Sequence, residues 1–323
     1  MKINDYSTGT AILPGCSYRV NGYLFTVNSV TSDGRMNVQV VDPRCQLQVL
    51  NNTTLDNLHR VLGLNDPNEP VRHEVFQEVL NWLQMGENVY LYGPAGTGKN
   101  VLAQQLADEL GQPMFFMNKV TDVFDFKGSQ NANGDYIPSA FYRAFTEGGL
   151  FFFDEFDASC ENAITALNAA LANKYFDFPV LGNVKAHKNF RVVAAGNTSG
   201  KGATAEYNGR NKLDDATLNR FAVVEMNYDP RIEERCAEGD SSILDYVREL
   251  RRAANQTMIS LTLGYRNLTM LAKAKKFLTD EKALQQAVFK GLDTDEIRIL
   301  HNEMNLWGNH YSEAMERIAR KVR

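Results

Sequence analysis

Gly93-Pro94-Ala95-Gly96-Thr97-Gly98-Lys99-Asn100 is the stretch that decides the fold. The apolar run Val89-Tyr90-Leu91-Tyr92 before it reads as a buried strand, and Val101, Leu102, Leu106 and Leu110 after it recur at helical spacing. Between a strand and a helix, Gly93, Gly96 and Gly98 let backbone N–H groups turn inward as a nest for phosphate oxygens. The helix N-terminus adds its positive end, and Lys99 supplies a point charge for the β and γ phosphates of ATP. Gly93, Pro94, Ala95, Gly96, Thr97, Gly98, Lys99, Asn100 and Val101 are therefore the candidate nucleotide-binding residues. Asn100 stands where this motif ordinarily has a Ser or Thr hydroxyl for magnesium. Its amide oxygen is also a hard neutral ligand, so Asn100 is a candidate for Mg2+ as well.

Working outward, Leu150-Phe151-Phe152-Phe153-Asp154-Glu155 is an apolar run ending in two acids. Asp154 is placed to hold Mg2+, and Glu155 to polarise an attacking water as general base. Arg191-Val192-Val193-Ala194-Ala195 runs into Gly196-Asn197-Thr198, which sets the Asn197 amide at another strand end, suited to sensing the γ phosphate. Two arginines sit at junctions, Arg220 in Asn219-Arg220-Phe221 and Arg266 in Gly264-Tyr265-Arg266-Asn267. Phosphoryl transfer gains from such cations, supplied within a chain or by a neighbour. The catalytic candidates are Glu155, Asn197, Arg220 and Arg266; the metal candidates are Asp154 and Asn100.

Short apolar runs separated by helical patterns predict an α/β fold with a parallel sheet buried on both faces, its strands at Asn88–Tyr92, Pro113–Met117, Leu150–Phe153, Arg191–Ala195 and Phe221–Met226. Residues 1–62 read as a small β module plus a short helix, 63–70 as a linker containing two prolines, 71–228 as the nucleotide-binding domain and 229–323 as a helical domain.

The net charge of -5 argues against a general hold on a nucleic-acid backbone. Arg317-Ile318-Ala319-Arg320-Lys321-Val322-Arg323 reads as the solvated end of a helix, with a phosphate contact as the alternative. Cys16, Cys45, Cys160 and Cys236 form no disulfide or zinc pattern, and the histidines have no metal-ligand spacing. Trp82 and Trp307 read as core or interface anchors. With neither a signal peptide nor a membrane-spanning run in the sequence, a cytoplasmic location is expected.

From Gly93 to about Arg266 and on toward the C-terminus, the order of elements resembles the AAA+ superfamily. Within it the chain looks like the MoxR and dynein-related group, most of all CobS-type ATPases and their phage-encoded relatives. The stretches that carry the resemblance are Lys127-Gly128-Ser129 through Tyr136, Phe141-Tyr142-Arg143-Ala144-Phe145-Thr146-Glu147-Gly148-Gly149, Phe190 to Thr198, Tyr207-Asn208-Gly209-Arg210, and Leu213 to Phe221. The resemblance implies a three-layer αβα domain with sheet order 5-1-4-3-2, a C-terminal helical lid, a hairpin near Phe176 to His187 and an insert near Asp125 to Tyr136 facing a central pore. It makes Asn197 the first sensor, Arg220 an arginine finger entering the neighbouring subunit's site, with Arg210 in reserve, and Arg266 the second sensor on the lid. It also implies a homo-oligomer, a hexameric ring, that uses ATP and Mg2+ to remodel a protein client or a von Willebrand A-type partner. Two alternatives stand beside this: a nucleic-acid-linked motor of a phage or mobile element, and a nucleotide-gated scaffold in which Asn100 has slowed hydrolysis.

Overall fold

The computed structural model describes residues 3–6, 11–20, 22–32, 34–43, 45–62, 71–179, 181–203 and 207–320. The chain divides into two compact units, Met1–Val71 and Arg72–Arg323. The linker read at 63–70 lies outside the described residues.

In the first unit, β1 (Ile3–Asp5), β2 (Ser17–Val20), β3 (Tyr23–Val30), β4 (Met36–Val41) and β5 (Leu47–Thr53) form one sheet in sequence order, followed by α1 (Leu55–Val61). β1 and β2 are parallel and the remaining pairs antiparallel. Alternation buries Phe25 and Val27 on β3 and Val38 and Val40 on β4, and α1 closes this face with Leu58. The sequence pattern locates β3 and β4; β5, with most of its residues exposed, lacks the apolar period that would reveal it.

The second unit opens with α2 (Phe76–Met85), β6 (Val89–Tyr92), α3 (Lys99–Glu109) and β7 (Met114–Met117). Next come the insert α4 (Phe124–Lys127), β8 (Ser129–Gln130) and β9 (Tyr136–Ile137), and then α5 (Ala140–Glu147) and β10 (Gly149–Phe153). A 3-10 turn at Phe156–Ala158 leads to α6 (Glu161–Asn173), the antiparallel hairpin β11 (Tyr175–Phe178) and β12 (Gly182–Lys185), β13 (Phe190–Gly196), α7 (Asp215–Leu218) and β14 (Ala222–Glu225). The parallel sheet runs β14-β6-β13-β10-β7, which is the expected order 5-1-4-3-2. Successive side chains enter opposite layers. Val89, Leu91, Leu150, Phe152, Val193 and Ala195 pack with α2 and α3. Tyr90, Phe151, Phe153, Val192 and Ala194 pack with α5 and α6. Phe151, Phe152 and Phe153 are fully buried, as expected of core strand residues.

Six helices follow: α8 (Pro230–Cys236), α9 (Ser241–Thr257), α10 (Tyr265–Ala274), α11 (Asp280–Ala287), α12 (Thr294–Glu303) and α13 (His310–Ala319). They share a separate core that includes Tyr246, Leu250, Leu268, Leu271, Leu284 and Tyr311. The sequence reading missed α8, a short helix with Pro230 in its first turn and the Asp229 side chain accepting from the Arg231 amide. Trp307 is 91% exposed and Trp82 39%, so neither is a core residue. Among the described residues no helix is long and apolar enough to cross a membrane.

Phe141 lies at the centre of the α5–α6 layer, its ring centroid within 5.4 Å of those of Phe126, Phe145, Phe151 and Phe176. Phe141→Ala is expected to cost about 3–5 kcal/mol, read as a lower denaturant midpoint at unchanged slope.

Candidate functional site

The parallel register gathers the site at the carboxyl end of the sheet. Gly196 pairs with Tyr92 and Phe153 with Ala194. One residue beyond these pairs the chain enters Gly93, Asn197 and Asp154. β6, β13 and β10 are neighbours, so the nucleotide loop, Asn197 and the Asp154-Glu155 pair share one edge.

Within the loop, Gly93 has φ of 149°, and a Cβ there would lie 2.2 Å from the Met226 carbonyl oxygen. Gly98, with φ of 85°, starts α3 without a side-chain cap. The first-turn N–H groups thus face outward as an anion site. Lys99 is 7% exposed, and its Nζ donates to the carbonyls of Gly93 (2.8 Å) and Pro94 (2.9 Å). Thr97 is buried and donates to the Pro94 carbonyl, and the Ala95 amide donates to the Tyr207 hydroxyl. Asn100 and Val101 are exposed on the first turn of α3.

Asp154 and Glu155 are half-buried, and Glu155 adopts the left-handed conformation with φ of 52°. Asp154 Oδ1 accepts from the Glu155 amide at 2.9 Å. Among the described residues there is no cluster of three or more His, Cys, Asp or Glu side chains able to hold a metal. Mg2+ takes one or two carboxylates together with substrate phosphates and water, so Asp154, with exposed Asn100 on α3, fits that ion.

Asp157 is the residue that sequence reasoning missed. Fully buried, it accepts through Oδ2 from the amides of Asn197 (3.0 Å) and Thr198 (2.9 Å) and from the Thr198 hydroxyl (2.9 Å). Through Oδ1 it accepts from Arg210 at 3.0 Å. Its signal was available as a third acid two residues beyond Glu155, although nothing in the linear spacing names its partners.

The helical region reaches the loop directly. Tyr265 N–H donates to the Gly96 carbonyl at 3.0 Å, and Tyr228 Oη to the Ala95 carbonyl at 3.1 Å. A Cβ on Gly264 would sit 2.7 Å from Gly96 Cα. Arg266, second residue of α10, is exposed beside this contact. Arg220 is elsewhere: it precedes β14, whose first residue, Ala222, pairs with Val89 at the start of β6. A strand of about 13 Å therefore separates it from the loop of its own chain. Its guanidinium donates to the carbonyls of Asn168 (3.1 Å) and Ala216. Arg210, the reserve finger, is 12% exposed and turned inward, with Glu155 at 3.8 Å.

Burial lowers the Lys99 pKa to about 8; Asp154 and Asp157 oppose that shift and Arg210 adds to it. Between that value and the unfolded 10.5, the unfolded chain binds more protons, so the Lys99 contribution to stability rises with pH across this window. Phosphate binding needs the charged form. ATP affinity, measured by calorimetry from pH 7 to 9.5, is expected to weaken above about pH 8, by up to about tenfold per pH unit. Lys99→Arg, which stays charged, should flatten the profile; a flat wild-type profile would contradict the shift.

Residues 88–221 match the AAA domain (dynein-related subfamily). An uncharacterised protein of Staphylococcus saprophyticus is 26% identical over 244 residues, covering 68% of this chain and 90% of its own length. The uncharacterised YojN of Bacillus subtilis is 30% identical over 157 residues, 45% of this chain and 49% of that one. Among solved structures, NtrX of Brucella abortus is 19% identical with a TM-score of 0.43, over 67% of this chain and 50% of that chain. The matched span contains the nucleotide loop, Asp154, Glu155, Asp157, Asn197 and Arg220, and with the sheet order it supports an AAA domain over those residues.

Proposed function

We propose that the chain is a ring-forming ATPase of the MoxR and dynein-related kind that couples ATP hydrolysis between subunits to the remodelling of a partner protein. The observation that carries this reading is the convergence of Lys99, Asp154, Glu155 and Asn197 on one sheet edge while Arg220 lies at the other end of β14. An arginine so far from its own loop is suited to a neighbour's site.

In this reading the first-turn amides of α3 and Lys99 bind the β and γ phosphates. Asp154 and Asn100 are the residues that would hold Mg2+, which when bound would neutralise charge on the phosphate oxygens. Asn197 orients the attacking water, and a Glu155 carboxylate oxygen takes its proton. Arg220 of one copy meets the terminal phosphate bound to the next, and Arg266 meets it from the helical lid, residues 229–323. Because α10 rests on the nucleotide loop through Gly264 and Tyr265, loss of the terminal phosphate shifts the lid, and the insert at Asp125 to Tyr136 acts on the client. A hexameric homo-oligomer, a cytoplasmic location and a von Willebrand A-type partner belong to the same proposal. The basic C-terminal stretch adds little to the nucleic-acid alternative, since Arg317 pairs with Glu281 and Arg320 with Glu316; residues 321–323 lie outside the described residues.

Glu155→Gln should keep ATP affinity and lose turnover by about 10²–10⁴-fold; unchanged steady-state phosphate release would refute the base assignment. Arg220→Ala should lose turnover alone and regain part of it when mixed with Lys99→Ala subunits, which donate an intact Arg220. Failure of that mixture to recover activity would count against an intersubunit site.

A further inference from the structure

Arg210 and Arg220 bind different partners, acids of the Asp154–Asp157 turn for one and backbone carbonyls for the other, and the difference assigns them different work. The Arg210 segment is pinned to the acidic turn of its own chain: the Asn211 amide donates to the Asp157 carbonyl at 2.7 Å, and the Asn211 side chain donates to the Ser159 carbonyl at 2.7 Å. Between these anchors the Arg210 guanidinium lies 3.0 Å from Asp157 Oδ1 and 3.8 Å from Glu155 Oε1. Asp157 in turn grips the backbone of Asn197 and Thr198. A third lock closes the arrangement from β6, where the Tyr90 hydroxyl donates to the Thr198 carbonyl at 2.6 Å. Gly196 is held to the smallest residue, because a Cβ there would lie 2.2 Å from Tyr90 Oη and 2.8 Å from Asp157 Cγ.

We propose that Arg210 is a positioning residue acting in cis: anchored by Asp157, it holds Glu155 in register with Asn197 within one subunit, so each subunit sets its own base. The inference rests on the ATPase reading above. Reaching a neighbour's phosphate would require Arg210 to leave Asp157, stripping a fully buried carboxylate of its cation, the costly way to break an ion pair. Arg220 is not tied to a buried carboxylate: its guanidinium donates to backbone carbonyls, and Asp214, whose charge it feels, is exposed.

The test is a subunit-mixing assay on the full chain, with ATP affinity measured alongside phosphate release. Arg210→Ala is expected to keep its affinity for ATP and to lose kcat by about 100-fold, the scale of a misplaced reacting group. Arg210→Lys should recover part of that loss. Mixing Arg210→Ala with Lys99→Ala subunits, which carry an intact Arg210, should give no rescue. Rescue in that mixture would show Arg210 acting across the interface and overturn the cis assignment while leaving the ATPase reading standing. An unchanged kcat in Arg210→Ala would overturn it equally. If Arg210→Ala does not fold, Arg210→Gln, which can still donate to Asp157, replaces it with the same two decisive outcomes. A wild-type chain that bound no ATP would be a different failure, removing the ATPase reading and the cis assignment with it.

Discussion

Parallel pairing of β13 with β6 on one side and β10 on the other is the constraint on which the site depends. Parallel strands end at the same edge, so pairing alone delivers three loops separated by dozens of residues in sequence to one place, before any contact among their side chains is needed. Register then sets which residue stands opposite which. Because side chains alternate between faces, a slip of one residue would move Phe151 and Phe153 out of the α5–α6 layer and Phe152 into it. The layers differ in character, one rich in phenylalanine around Phe141 and the other built largely from Val, Leu and Ala, which penalises such a slip. The packing that fixes register therefore also fixes the separation of Lys99, Asp154 and Asn197.

Register alone leaves the loops free to bend beyond the strand ends, and Asp157 removes that freedom. A wholly buried carboxylate is tolerable only when its lone pairs are occupied and its charge is matched. Here four donors from two other segments satisfy it. Each hydrogen bond to a charged group contributes about 1.5–3 kcal/mol, and their greater effect is geometric. Asn197 cannot drift from the acidic turn without unsatisfying a buried charge. Glu155, in the left-handed conformation, opens the 3-10 turn that carries Asp157.

The sheet strands and the nucleotide loop were legible because each leaves a local mark: continuous apolar runs for buried parallel strands, glycines before a helix for the phosphate nest. The antiparallel hairpin before β13 and the order 5-1-4-3-2 came through family resemblance and agree with the structure. What stayed hidden has no local mark. Asp157 binds residues 40 and 41 positions away, and Arg210 could be named as a cation without any sign that it faces inward. β5 escaped because its exposed residues break the period, and Trp307, large and apolar enough to suggest burial, is on the surface.

Gly96 and Gly264 carry the argument from the sheet to the helical region. A close backbone approach of this kind admits no Cβ on either side, so the nucleotide loop and the start of α10 move together or separate altogether. Tyr228 extends the linkage: its hydroxyl donates to the Ala95 carbonyl, while the Arg251 guanidinium stands 3.7 Å over its ring and binds Glu233, a buried acid that also pairs with Arg248. Glu233 belongs to α8 and both arginines to α9, so the charges that orient the helices also orient the ring touching the loop. A change of a few tenths of an ångström at Ala95 or Gly96 therefore meets packed atoms and a buried ion-pair network rather than solvent. Packed interfaces of that kind shift between discrete arrangements instead of deforming smoothly.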